Sequence, residues 1–260
     1  MYAINSKNKK TNALINKKSE KMYNKNKLDH TLEECYKKIL KGDLEMMMYQ
    51  SLENFSLRKI NFVKTRTTIL KTTAHLLKQK EFGEITVDEI CQKAQISRGT
   101  FFNYFSTKEH VFHYFMRIFT VRIALRMQQW DGNMSFEEKL DMIYKWFLEE
   151  KQYSKFIGSY INFLLTVGEE ANEMKLIDAE FVYFFGDLKE EDYPYYNELT
   201  LSKLFMKMCK EAKGKGEINL EGDEEELSSL VVGEITGAYL SDHIHSQSAH
   251  LPIFNRIWKA

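Results

Sequence analysis

The chain has 260 residues, of which 43% are hydrophobic, so it can bury the core of one large domain or of two smaller ones. Only two prolines occur and few segments alternate apolar and polar residues, which favours helices over strands. The formal net charge is zero, yet residues 58–108 hold ten basic and four acidic side chains, whereas residues 109–260 hold sixteen basic and twenty-six acidic ones. A basic segment suits a polyanionic partner, and the acidic remainder does not.

Several classes of site have no support in the sequence. The three cysteines lack metal-ligand spacing and are typical of reduced thiols in a cytoplasm, and His110 and His113 have no evident third ligand. There is no phosphate-binding glycine loop, nucleophile elbow or zinc signature. The longest mostly apolar stretch, residues 157–167, is too short to span a bilayer. We therefore expect a cytoplasmic chain with no catalytic residue, metal, cofactor or membrane contact.

Residues 1–57 form an N-terminal extension unlike the rest of the chain. Residues 1–27 are rich in Lys and Asn without apolar periodicity, which predicts disorder. Lys-Gly-Asp at residues 41–43 can be encoded by a ribosome-binding sequence at a suitable distance before the methionines at 46–48. Two interpretations stay open. Translation starts at one of these methionines, or the extension is a basic arm that adds non-specific DNA affinity.

Three helices follow in residues 58–107. Residues 61–80 predict a helix, because apolar side chains recur at helical spacing from Ile69 to Leu77. Thr86 and Glu89 have the spacing of a capping box, which predicts the start of a second, short helix. Ser97 predicts the cap of a third helix over residues 98–105, with Ile96 and Phe101 as its hydrophobic staple.

The third helix is predicted to present four side chains outward: Arg98, Gly99, Phe102 and Asn103. Arg can pair with guanine, Asn with adenine, and an exposed aromatic ring with a thymine methyl group, so this face suits a major groove. Lys108, expected in the first turn of the next helix, could hold a phosphate. The alternative is a bundle of well-capped short helices, which leaves the exposed Phe102 unexplained.

Residues 86–109, TVDEICQKAQISRGTFFNYFSTKE, closely resemble the DNA-binding signature of the TetR family, and the likeness extends over residues 61–112. The resemblance implies a homodimer on near-palindromic double-stranded operator DNA, usually repressing until a small effector binds. It places Thr86, Thr100 and Lys108 where the family contacts phosphates or base edges. Gln95 replaces the usual turn glycine, which predicts a strained left-handed residue. Phe102 replaces a common tyrosine and loses its hydroxyl contact, so affinity should depend more on Lys108 and Arg98.

Residues 108–260 predict further helices, beginning with one over residues 108–130 that is apolar nearly all round. Ser135 and Glu138 have the spacing of another capping box, and further helices are predicted over residues 153–167, 171–185 and 251–258. The predicted fold is all-α: a three-helix helix-turn-helix domain at 58–107, then a helical ligand-binding and dimerisation domain at 108–260. Seven side chains are candidates to line an effector cavity, although most such residues are simply core: Phe119, Met127, Tyr144, Phe147, Tyr160, Phe163 and Phe205.

A small-residue pair marks a late helix of this second domain. Gly233 and Gly237, four residues apart, let another helix approach closely, either within the chain or in a partner subunit. The family resemblance favours the subunit interface, with Leu230 beside them.

Two functions remain open on this fold. The first is a repressor released by an apolar or aromatic ligand. The second is a DNA-bound adaptor that recruits a protein and senses no small molecule. A helical enzyme is disfavoured because no catalytic constellation is present.

Overall fold

In the computed structural model, the described residues are 52–128, 134–149, 158–159, 161, 174–186, 188–219 and 221–245. The chain divides into two units, residues 1–56 and 57–260. Of the first unit only residues 52–56 are described, a turn in which the Phe55 amide donates to the Leu52 carbonyl over 2.9 Å. The two hypotheses about the N-terminal extension therefore concern residues that lie mostly outside the described part.

All the secondary-structure elements in the described residues of the second unit are helices, which confirms the predicted all-α fold. Short 3₁₀ turns cover Phe82–Glu84 and Glu190–Asp192. The α-helices, in chain order, are α1 Leu57–Leu77, α2 Val87–Ala94, α3 Arg98–Tyr104, α4 His110–Gln128, α5 Phe136–Glu149, α6 Asp178–Phe185, α7 Tyr193–Glu198, α8 Leu201–Gly214 and α9 Glu224–His245. No helix among these described segments has the length and apolar character needed to cross a membrane.

Local sequence signals account for most of the helix starts. The Ser135 amide donates to Glu138 over 2.8 Å, and the Glu138 amide donates back to the Ser135 hydroxyl, so the predicted capping box at the start of α5 is confirmed. Asp223 and Glu226 make the same reciprocal bonds at the start of α9. These bonds satisfy amide groups that have no partner inside a helix.

Some predicted boundaries were wrong. α1 begins at Leu57 rather than at residue 61, and it ends at Leu77 because the amides of residues 78–80 bond back to His75 and Leu76 in a tightened last turn. The helix predicted over 171–185 begins only at Asp178. The predicted helices over 153–167 and 251–258 lie almost wholly outside the described residues.

α4 lies at the centre of the unit. Every side chain from Val111 to Val121 is buried, so the prediction of a helix buried nearly all round is confirmed. At the standard rise it is about 28 Å long. It begins at His110 beside the short helices and continues into the part built from α5 to α9. α8 and α9 form the most extensively packed helix pair.

Candidate nucleic-acid interface

The helices α1, α2 and α3 pack together around buried apolar side chains of the hydrophobic core. Ile85, Ile90, Phe101 and Phe105 are almost completely buried, and the Phe62 ring of α1 lies 5.0 Å from the Tyr104 ring of α3. Burying the inward face of α3 fixes its orientation, so its other face must point to solvent. This is the arrangement expected of a helix-turn-helix.

The start of α2 is held by a network around Thr86. The Thr86 hydroxyl accepts from the Glu89 amide at 3.2 Å, and the Glu89 carboxylate accepts from the Thr86 amide at 3.0 Å, so the predicted capping box is confirmed. Lys80 also donates to this carboxylate. The Lys80 ammonium, with the Thr86 amide, lowers the pKa of Glu89 to about 2. The exposed Thr86 and the first-turn amides of α2 thus form a capped helix N-terminus, and the phosphate contact expected of Thr86 stays a prediction.

The turn between α2 and α3 contains the strained residue that the sequence predicted. Gln95 has φ 56° and ψ 43°, in the left-handed region, and it is the one non-glycine residue with positive φ in the described segments. Its conformation lets the Ile96 amide donate to the Cys91 carbonyl over 3.0 Å. Ser97 then caps α3 by accepting from the Thr100 amide at 3.0 Å.

The structure brings Arg98, Gly99, Phe102 and Asn103 together on the exposed face of α3. Phe102 is 45% exposed, although burial would be the ordinary state of a phenylalanine. A Cβ atom added to Gly99 would meet only the Ser97 hydroxyl, at 3.7 Å, so internal packing does not require glycine there. The exposed face of α3 therefore has no side chain at Gly99 and an apolar ring at Phe102, and its polar side chains are those of Arg98 and Asn103.

Arg98 is held in place by a residue that sequence reasoning missed. Its Nη1 lies 3.1 Å from the Asp88 carboxylate of α2, and both side chains are about two-thirds exposed. An exposed pair of this kind adds little stability. It does restrict the positions of the guanidinium across the turn. Thr100 is less accessible than its neighbours, and its hydroxyl lies 2.8 Å from that of Ser97.

Lys108 has a different position from the one expected. It precedes α4, which begins at His110, and the Thr107 amide donates to Nδ1 of the His110 ring over 3.2 Å. The Lys108 ammonium donates to the carbonyls of Phe82, Gly83 and Ile85 over 3.0, 3.4 and 2.8 Å. An ammonium has three protons, so a phosphate would have to displace one of these bonds. The phosphate contact stays a prediction, while the visible role of Lys108 is to hold the loop before Thr86.

The candidate cavity residues are only partly described. Phe119, Tyr144 and Phe205 are buried, and Met127 is partly buried. Tyr160 and Phe163, together with the side chain of Phe147, lie outside the described residues. The cavity stays a prediction.

The candidate interface residues on α9 face outward. Leu230 is 47% exposed, and Gly233 and Gly237 are exposed as well. No atom of the described chain lies within 4 Å of a Cβ added to either glycine. The described residues therefore supply no helix crossing at this pair, and the subunit interface stays a prediction.

Comparison with known proteins identifies the segment that contains α2 and α3. Residues 69–115 match the family model described as bacterial regulatory proteins, tetR family. Over 90 residues the chain is 27% identical to the uncharacterized HTH-type transcriptional regulator YuxN of Bacillus subtilis, covering 33% of this chain and 31% of that protein. Over 43 residues it is 51% identical to the HTH-type transcriptional regulator EthR of Mycolicibacterium smegmatis, covering 16% of this chain and 20% of that protein. The match thus spans less than a third of either relative.

Solved structures also resemble the chain at low identity. A putative transcriptional regulator of the TetR/AcrR family aligns with a TM-score of 0.45 and 18% identity, covering 74% of this chain and 93% of that one. The reduced form of NemR from E. coli aligns with a TM-score of 0.45 and 15% identity, with the same coverage. The family match confirms the predicted helix-turn-helix and agrees with the expectation of a regulator rather than an enzyme.

Proposed function

We propose that this chain, which carries the DNA-binding domain of the TetR family, is a transcriptional repressor that binds operator DNA and leaves it when a small apolar or aromatic effector binds. The observation that carries the proposal is the exposed face of α3. It presents Arg98, Phe102 and Asn103 to solvent from a helix that is capped and anchored in a core. Contact with a base would remove the apolar ring of Phe102 from water, which is favourable.

Each group on this face has a definite role in the proposal. Arg98 donates to the O6 and N7 atoms of guanine, and Asn103 pairs with adenine. Phe102 contacts a thymine methyl group, and Gly99 leaves room for the groove wall. Thr86 and the α2 amides hold a phosphate, which positions α3 without reading sequence.

Asp88 has a second role in this scheme. Its carboxylate orients Arg98 in the free protein and also repels phosphates. Arg98 would therefore exchange its contact with Asp88 for a contact with the base. Removing the Asp88 carboxylate would raise the affinity for all duplexes and weaken the preference for one base.

Binding as a dimer is supported by the outward face of α9. Leu230, Gly233 and Gly237 form a surface without a partner atom near either glycine in the described chain. A second copy of α9 could approach closely there. Two recognition helices about 34–36 Å apart would enter successive major grooves, which corresponds to a near-palindromic operator.

Effector sensing is the least direct part of the proposal. Phe119 on α4 and Tyr144 on α5 are buried in the helical region where an apolar ligand would bind, with Phe205 of α8. Because α4 also starts beside the DNA-binding helices, a tilt at its far end would change the separation of two recognition helices. The adaptor function shares every DNA contact and differs only in having no ligand.

The test is selection of binding sites from random double-stranded DNA with the full chain, followed by affinity measurements. We expect enrichment of two related half-sites about one helical turn apart. Arg98→Ala should relax one position in each half-site and cost about 1–3 kcal/mol there. Arg58→Ala, an exposed arginine of α1, is the matched control and should keep the same base preference. Failure to enrich any sequence would refute the proposal.

A thermal-shift screen of apolar and aromatic metabolites then separates repressor from adaptor. A ligand that binds the native state raises the melting temperature. Repression by effector release requires that the same ligand weaken operator binding. A ligand that stabilises the protein without changing DNA affinity would contradict the effector mechanism, and a thorough screen without a hit would favour the adaptor.

A further inference from the structure

A buried ion pair joins α1 to α6, and neither partner belongs to the exposed face of α3. Arg66 is 2% exposed and Glu180 is completely buried, and the Arg66 Nη1 lies 2.9 Å from a Glu180 carboxylate oxygen. The Tyr114 hydroxyl of α4 donates to the other oxygen over 2.7 Å. Three helices that are distant in sequence therefore meet at one carboxylate.

The surroundings fix the position of the guanidinium. Its central carbon lies 4.0 Å from the centre of the Tyr114 ring and 5.3 and 5.5 Å from those of Phe62 and Phe105. These rings attract the cation and also restrict its movement. Nε and Nη2 of Arg66 have no hydrogen-bond partner among the described residues. The charge of Arg66 is therefore balanced mainly by Glu180.

The segment that leads into α6 is held equally firmly. Arg66 donates to the Lys175 carbonyl over 3.3 Å, and the Ile177 amide donates to Glu180 over 3.0 Å. The Asn197 side chain makes two bonds of 2.9 Å with the backbone of Leu176. Buried Arg117 of α4 donates to the Met174 carbonyl over 3.1 Å. Residues 174–180 are thus fixed to α1, α4 and α7 at once.

A pair like this is a poor source of net stability, because the cost of burying two charges offsets most of their attraction. Burial raises the pKa of the Glu180 carboxyl, while Arg66 and the Tyr114 hydroxyl oppose the shift. The pair instead restricts the orientation of α1 relative to α6. A carboxylate that must accept from both Arg66 and Tyr114 permits only a narrow range of positions of α1 relative to α6.

We propose that the Arg66–Tyr114–Glu180 cluster is the joint that fixes the angle of the DNA-binding helices, residues 57–107, on the helical region that follows them. The chain already connects the two through α4. The cluster adds a buried attachment between α1 and α6, beside the partly exposed ion pair of Lys59 with Asp178, so that a displacement of residues 174–180 is passed to α1 and then to α3. These three are positioning residues, and the inference rests on the proposed operator binding.

The test compares two DNA molecules rather than one. One duplex carries both half-sites of the selected operator, and the other carries a single half-site. Only the first requires two recognition helices to be held at the correct separation. Glu180→Gln retains the shape of the side chain but removes the charge that balances Arg66. We expect about a tenfold loss of affinity for the two-site operator, within the usual range of coupling between sites, and little change for the half-site.

Two further variants test whether unfolding or a local disturbance could explain the loss of affinity. Arg66→Met combined with Glu180→Leu replaces the pair by apolar groups, an exchange that folded proteins often tolerate. It should melt normally and still lose the preference for two sites. Lys189→Ala breaks only the exposed 3.5 Å pair with Glu191, outside residues 174–180, and should behave as the unaltered chain.

The outcomes separate the two claims. Folded Glu180→Gln and double variants with the original ratio of two-site to half-site affinity would overturn the joint alone. An equal loss on both duplexes would also overturn it, since that is the result of general destabilisation. If the unaltered chain selects no sequence, the proposed function fails and the joint with it.

Discussion

Replacing Gln95 by glycine should stabilise the protein, because Gln95 is the one described residue other than glycine that is held in the left-handed region. That conformation costs a residue with a Cβ atom roughly 1–2 kcal/mol and costs glycine almost nothing. Glycine also makes the unfolded chain more flexible, which costs about 0.4–1 kcal/mol. The net gain in the free energy of unfolding should be about 0.5–1 kcal/mol.

The measurement is thermal and denaturant unfolding of Gln95→Gly beside Gln95→Ala. For a chain of this size the gain corresponds to a rise of about 1–4 °C in the melting temperature. Alanine keeps the Cβ atom and removes the rest of the side chain, so it should give no gain. The Ile96 to Cys91 hydrogen bond of 3.0 Å does not involve the side chain and should persist in both variants.

Two results would refute this reasoning. If Gln95→Gly is no more stable than the unaltered chain, the left-handed turn does not carry the strain assigned to it. If Gln95→Ala gains as much as Gln95→Gly, the effect comes from the glutamine side chain instead of the backbone. Operator affinity should be retained in both variants, since Gln95 lies in the turn and not among the four residues of the α3 face.

Three other variants test separate contacts. Lys108→Ala should lower the free energy of unfolding by about 1–3 kcal/mol, because partly buried carbonyls lose their donor, and an unchanged denaturation midpoint would contradict this. The depressed pKa of Glu89, about 2, gives a contribution to stability that is complete above its ordinary pKa of 4.5 and is lost as the pH falls through 2. The free energy of unfolding of Glu89→Gln should therefore fall less steeply than that of the unaltered chain as the pH is lowered across that range. Parallel acid-unfolding curves for the two proteins would argue against it. Gly233→Leu should convert a dimer to a monomer in light scattering while Thr68→Leu on α1 does not, and a folded Gly233→Leu dimer would exclude that helix face.

The features that the sequence predicted correctly are local. The capping box of Thr86 and Glu89 depends on groups three residues apart, and the left-handed Gln95 occupies the position at which the family that the sequence resembles usually has a turn glycine. The outward face of α3 follows from helical periodicity once Phe101 is placed inside. Such signals need no knowledge of the rest of the fold.

The features that were missed depend on distant residues. Arg66 and Glu180 are 114 positions apart, and nothing in either local sequence indicates the other. Lys108 meets carbonyls more than twenty positions earlier, so its helical neighbourhood suggested a phosphate ligand instead of a loop contact. Asp88 and Arg98 are only ten apart, and a closer look at the two faces that meet across the turn could have paired them.

The central claim is that the exposed face of α3 reads DNA sequence. The most direct measurement is the affinity of the full chain for its selected operator and for a scrambled duplex of equal length, repeated with Arg98→Ala at several salt concentrations. We predict that the unaltered chain prefers the operator, that Arg98→Ala loses much of that preference, and that affinity for both duplexes falls steeply with salt. Equal affinity of the unaltered chain for the two duplexes, or an operator preference unchanged in Arg98→Ala, would contradict the claim.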